Sequence, residues 1–289
     1  MGEDTPADPM TPIFVGGTGR SGTTVTGRLL GEHPDYVVLP TEMKYHADPR
    51  GLPGVFAGSS TPEAFKAWML DTWDAGYERN GGRSARGLHG VIDRPSLESA
   101  LDTFVGTFGE DNVHAAQEFI QTLHGEYAQR GGAESWVEMT PRNVQAPVFL
   151  QSICPGARFV NVIRDGRDVV TSLVRLNWFE EPMTALAWWE SRMRSAHVRT
   201  SRLAPSQTYV LNFDRLAVYE RETAFAELVA FLGWTDVGAV RAFFDERLTA
   251  DQAHVGLWQT SFEPGVAQAI DAEYARIIER LHAADIPHP

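Results

Sequence analysis

Residues 12–24, Pro-Ile-Phe-Val-Gly-Gly-Thr-Gly-Arg-Ser-Gly-Thr-Thr, restrict this chain more than any other stretch. Ile13 to Val15 is an apolar run that reads as a short buried strand. The glycines that follow, Gly16, Gly17, Gly19 and Gly22, reach backbone angles that other residues avoid. Val25, Leu29 and Leu30 then keep helical spacing up to Gly31-Glu32-His33-Pro34. A strand that breaks into a glycine turn and opens a helix aims several N–H groups and a helix dipole at one point. That arrangement suits a phosphate.

The spacing from Gly17 to Gly22 with Thr24 fits G-x-x-x-x-G-x-[ST], but Thr23 stands where a nucleoside triphosphatase carries its lysine. The cation sits inside the loop instead, at Arg20, where a guanidinium forks onto a terminal phosphate. Such spacing also occurs in ordinary strand–helix turns, so it needs a second site to make a function of it.

That second site follows another strand. Arg158 to Ile163 is β-branched and mostly apolar, and it ends at Arg164-Asp165-Gly166-Arg167-Asp168. Ser172 lies about two turns into the next helix, on a path where a phosphate could meet both it and Arg164. Phosphate sites at two strand ends describe a ligand phosphorylated in two places. The alternative for Arg164 and Arg167 is pairing with Asp165 and Asp168.

Between and after these motifs, Tyr36 to Leu39, Ser135 to Glu138 and Thr208 to Asn212 are further strand candidates, alternating with helical patterns. We expect an α/β fold with a mainly parallel central sheet, in one domain over 1–289. Residues 1–11 are expected to be a flexible tail and about 48–130 a helical insertion. Its aromatic residues (Phe65, Trp68, Trp73, Tyr77, Phe104, Phe108, Tyr127) are expected mostly in the core. The stretch Pro182 to Leu203 reads as a core-facing helix whose arginines, Arg192 among them, form a solvated face.

The net charge of −13 excludes nucleic acid and anionic membranes as natural partners. A single cysteine, Cys154, excludes an internal disulfide and a Cys-based metal site. The acidic, Pro-rich start, Met1 to Met10, does not read as a signal peptide, and no run approaches ~20 apolar residues. A cytoplasmic protein is expected, and a homo-oligomer is left open.

Phe14 to Thr24, with its Arg-Ser-Gly-Thr-Thr ending, resembles the 5′-phosphosulfate loop of sulfotransferases that use 3′-phosphoadenosine 5′-phosphosulfate (PAPS), in its bacterial and tyrosylprotein-type form. Phe159 to Ser172 resembles their 3′-phosphate motif. Val137 to Asn143, Tyr209 to Leu216, Phe231 to Trp234 and Trp258 are supporting matches. The resemblance spans Pro12 to about Thr41 and Ser135 to the C-terminus. It implies a P-loop-type three-layer fold; the insertion, which it does not cover, is expected to cap the acceptor side. It also implies in-line transfer of a sulfuryl group from PAPS to an acceptor hydroxyl or amine, with PAP as product and no metal; a phenolic or other hydroxylated small molecule is the expected acceptor.

On that resemblance Gly19, Arg20, Ser21, Gly22, Thr23 and Thr24 hold the 5′-phosphosulfate, and Arg164, Ser172 and Trp258 the 3′ side. Glu42 is the expected base, and His46 the reserve. Family members often carry Lys at the position of Met139, so Arg20, Lys44 or Arg142 would take over the leaving phosphate. Leu257 stands where many relatives have a basic residue. A P-loop kinase of small molecules and a non-catalytic nucleotide-binding protein are the alternative readings.

Overall fold

The computed structural model describes residues 11–76, 78–79, 82–83 and 87–289. The tail up to Met10, and Tyr77 of the insertion, lie outside them. β1 (Ile13–Gly17) runs into the glycine turn and α1 (Thr23–Leu30), and β2 (Tyr36–Val38) follows. The chain then builds α2 (Leu52–Phe56), α3 (Pro62–Ala75), the short hairpin β3 (Glu78–Arg79) and β4 (Gly82–Arg83), α4 (Arg94–Thr107), α5 (Asn112–Ile120) and α6 (Glu126–Arg130). It re-enters the sheet at β5 (Ser135–Glu138), and α7 (Pro147–Ile153) leads to β6 (Arg158–Ile163). α8 (Gly166–Arg175) and α9 (Pro182–Thr200) precede β7 (Thr208–Asn212). α10 (Arg221–Leu232), α11 (Gly238–Arg247), the short turns α12 (Ala250–Ala253) and α13 (Trp258–Ser261), and α14 (Pro264–His282) complete it.

The central sheet is five-stranded and parallel, in the order β2-β5-β1-β6-β7. Parallel strands need crossovers, and the helices supply them. The order places β1 between β5 and β6, with Gly17 level with Val162. The glycine turn and the segment beginning at Arg164 therefore leave the sheet side by side, at the carboxyl ends of adjacent strands.

Side chains alternate along the strands, which sorts the core into layers. Ile13, Val15, Val160, Val162 and Leu211 pack with Leu29 and Leu30 of α1 and with α10 and α11. Phe14 and Phe159 face the other way, onto α7 and the helices of 52–130. There Phe65, Phe104 and Phe119 form a buried edge-on cluster. The aromatic residues of the insertion are thus chiefly packing, as its composition suggests; Trp68 is treated below. Ile163 joins a third cluster with α8, α9 and α14, closed by Trp189 and Tyr274.

Candidate active site

Gly19, Arg20 and Gly22 all take positive φ (84°, 59° and 97°) and wind the loop into a tight cradle before α1. Gly22 occupies the N-cap with no side-chain cap, and a Cβ there would stand 2.5 Å from the Phe213 ring. Glycine is required at this position by both backbone angle and packing. Arg20 has no such exemption. A left-handed non-glycine residue costs roughly 1–2 kcal/mol, which the surrounding contacts must offset. Ser21 is wholly buried and its Oγ meets no hydrogen-bond partner. Thr18 and Thr23 are buried beside it, and Thr24 is exposed.

Arg20 Nε donates to Ser172 Oγ at 2.9 Å, across 152 residues of sequence. Arg164 donates through one amino group to the Ala253 and His254 carbonyls, at 2.7 and 3.0 Å, and through the other to Arg20 O at 3.5 Å. Its guanidinium also lies 5.3 Å from the Phe213 ring centre. Asp168, buried on α8, accepts from Gly256 N–H at 2.7 Å and Trp258 N–H at 3.1 Å. Arg164 and Asp168 together pin the C-terminal segment beside the loop. The Trp258 ring itself stacks on Arg167, 4.4 Å from the guanidinium carbon. Arg167 pairs with Asp165 and Asp271, so for this arginine ion pairing is what the fold uses. A cavity of about 330 Å³ opens here, lined by Arg20, Arg164, Ser172, Arg175, His254 and Leu257.

A second cavity, of about 320 Å³, opens on the other side of the loop, against Gly17, Thr18 and Gly19. Glu42 and Lys44 line it, 3.8 Å apart, with Thr140, Arg142, Arg192 and the indoles of Trp68, Trp178 and Trp188. One buried carboxylate sets the backbone of residues 43–44. Glu138 Oε1 accepts from Met43 N–H at 3.0 Å and from the Thr140 hydroxyl at 2.6 Å, and that hydroxyl accepts Lys44 N–H at 3.2 Å. Lys44 is thereby held at φ 54°. Burial pushes Glu138 up, but His46 beside it and the Thr140 and Met43 donors outweigh burial and hold it at about 2.

His46 belongs to that buried network. Its ring is wholly buried, with Nε2 donating to Asn143 Oδ1 at 2.8 Å and Glu138 Oε2 at 3.1 Å. It lines neither cavity. Among the described residues, no group of three or more His, Cys, Asp or Glu side chains is placed to hold a metal ion.

The profile of the sulfotransferase family matches residues 12–237, which includes the loop, Glu42, Glu138, Arg164 and Ser172. The chain belongs to this family. Protein-tyrosine sulfotransferase 2 of Gallus gallus is 24% identical over 240 residues, which is 78% of this chain. The chain spans about half the length of that curated relative, 53%. Among solved structures, the sulfotransferase domain from the curacin biosynthetic pathway superposes with a TM-score of 0.53 at 12% identity, over 98% of this chain and 99% of that one. The sulfotransferase domain of the Synechococcus PCC 7002 olefin synthase gives 0.52 at 13%, over 93% and 94%. At such identities the likeness is one of fold.

Three positions of this sulfotransferase differ from what its sequence suggests. Met139 is buried against α1, where a Cβ built on Gly27 would stand 2.8 Å from Met139 Cβ. Met139 itself lines neither cavity. Arg192 is not on a solvated face: it is half-buried, lines the cavity and lies 5.2 Å from the Trp188 ring centre. Glu138 is the residue that sequence reasoning missed. Only its place at the end of a strand, before Thr-Pro, hinted at more than a strand residue.

Proposed function

We propose that this sulfotransferase moves a sulfuryl group from PAPS to a hydroxyl of a small-molecule acceptor. The observation that carries the reading is the Arg20–Ser172 contact, which joins the glycine turn to the strand-end motif, with a cavity on either side. The residues present fit the donor. The buried, partnerless Ser21 Oγ and the uncapped start of α1 offer donors to a phosphosulfate. Arg164, Ser172 and Arg175 supply the donors a second phosphate would need. The bound donor supplies an activated sulfuryl group on a phosphate leaving group.

The chain's own residues then have three tasks. Arg20, Thr23 and Thr24 hold the phosphosulfate end and counter the charge that grows on the bridging oxygen, a contribution made by preorganised donors. Glu42, half-buried beside Lys44, accepts the proton of the acceptor hydroxyl; the Glu138 network fixes the backbone of residues 43–44 next to it. Trp188 approaches the position of a Gly19 Cβ to 3.9 Å and helps keep water from the transfer point. His46 acts by positioning that network, and Trp258 by holding Arg167 and the C-terminal segment. Lys44 serves Glu42 and the leaving phosphate by charge.

A kinase reading finds no lysine after Gly22 and gains nothing from the cavities. Sulfation of a panel of phenols by PAPS, read as PAP release, tests the proposal. Turnover with PAPS and none with ATP and magnesium is expected; phosphorylation of the same acceptors would overturn it.

A further inference from the structure

The acceptor-side cavity holds six charged side chains, and they do not balance. Glu42 lies 3.8 Å from Lys44, and Asp48 lies 3.5 Å from Arg50, so four of them form two pairs. Arg142 and Arg192 remain. Neither has a carboxylate within ion-pair distance among the described residues, and Arg142 Nε is buried without a hydrogen-bond partner. They are close enough that the charge of Arg142, after burial, disfavours protonation of Arg192. Two half-buried guanidiniums of like charge lining one cavity are unfavourable unless an anion joins them there.

Their position says which anion. Trp188 is the α9 residue nearest Gly19, and Arg192 stands four residues further along the helix, about 6 Å in rise. Arg192 is therefore set apart from the glycine turn by about one helical turn, with the Trp188 ring beside it. The same cavity is lined by the indoles of Trp68, Trp178 and Trp188. Planar walls suit a planar ring, and paired guanidiniums suit a carboxylate.

We propose that Arg142 and Arg192 are the specificity end of this cavity and that the acceptor is a hydroxyaryl carboxylate. Its ring lies among the indoles, its carboxylate on the two arginines and its hydroxyl toward Glu42 and the loop. The role of that hydroxyl rests on the sulfuryl-transfer reading; the anion site does not.

The test is calorimetric titration of 4-hydroxybenzoate, 4-hydroxyphenylacetate and 3-(4-hydroxyphenyl)propionate, each beside its neutral amide, with and without PAP. At least one acid should bind about tenfold or more tightly than its amide, the worth of a charge-assisted hydrogen bond. In Arg192→Gln and in Arg142→Gln that preference should fall below about twofold, and Arg192→Lys should keep part of it. Equal binding of every acid and its amide in the parent protein overturns the proposal and needs no variant to do so. So does a preference that survives both substitutions. If the two arginines instead hold the sulfuryl end of the donor, the variants weaken PAPS relative to PAP and leave acid and amide alike. Failure of the parent to bind PAP, with the acid preference intact, sinks the donor reading and leaves the anion site standing.

Discussion

Glu42 and Glu138 sit close in the fold and are given opposite tasks by their surroundings. Glu42 is open to the cavity and paired with Lys44. Glu42→Gln should lower kcat by roughly 10²–10⁴, the usual worth of a general base, while leaving PAP binding in place; single-turnover sulfation beside a PAP titration checks this. Glu138 is wholly buried, with His46, Thr140, Asn143 and Met43 all turned to it. Glu138→Ala strips several buried donors of their acceptor at once and should cost about 3–5 kcal/mol in denaturant unfolding. Retained stability would show that the network is not what holds residues 43–44. Asp214 gives a pH-dependent counterpart. Burial pushes it from 3.8 up to about 6, although Asp165 N–H and Arg164 pull it down. A carboxyl raised in the folded state binds more protons there, so stability falls as pH rises from about 4 to about 6 and is level above. Asp214→Asn keeps an acceptor for Asp165 N–H and should remove that fall, on the order of 2–3 kcal/mol. Parallel stability curves for the two proteins would contradict it.

The elements of this fold were legible where local chemistry decides them. The strand at Ile13, the strand ending at Ile163 and the helix stop at Gly233 stand where their residues predict. Gly233 takes the left-handed C-cap, φ 67°, as a helix-ending glycine should. Less legible was which face of a helix meets a cavity. α9 carries tryptophans and arginines at mixed spacing, and nothing local separates Trp189, fully buried, from Trp188 on the cavity wall. Arg192 reads as solvated for the same reason: its environment comes from the glycine turn and the 141–145 segment, far away in sequence. The pinning of the C-terminal segment by Asp168 is equally non-local. The link between elements that matters most is Arg20 to Ser172. Ser172→Ala should weaken PAP about tenfold and 5′-AMP less, since the hydroxyl lines the cavity of Arg164 as well as accepting from Arg20. An equal loss for both nucleotides would place Ser172 in general loop support. Gly22→Ala, with a Cβ 2.5 Å from the Phe213 ring and φ 97°, should weaken both nucleotides and lower the melting temperature together.

At the scale of the molecule, the sheet order turns two short motifs into one site. β1 lies between β5 and β6, so the loop, Glu138 and Arg164 all leave from one edge, and the helices of 52–130 supply Trp68 to the cavity of Glu42. The parallel α/β class and the motif order could be read from the sequence because they rest on periodicity and glycine placement. Which residues meet across the cavities could not, because that depends on how α9 and the insertion pack. No helix among the described residues is long and apolar enough to cross a membrane. The central claim is that one site reads two phosphates on a single nucleotide. Calorimetric titration with PAP beside 5′-AMP and ATP with magnesium tests it most directly. A clear preference for PAP, weakened by Arg164→Ala, is expected; tighter binding of ATP, or no gain from the 3′-phosphate, would contradict it.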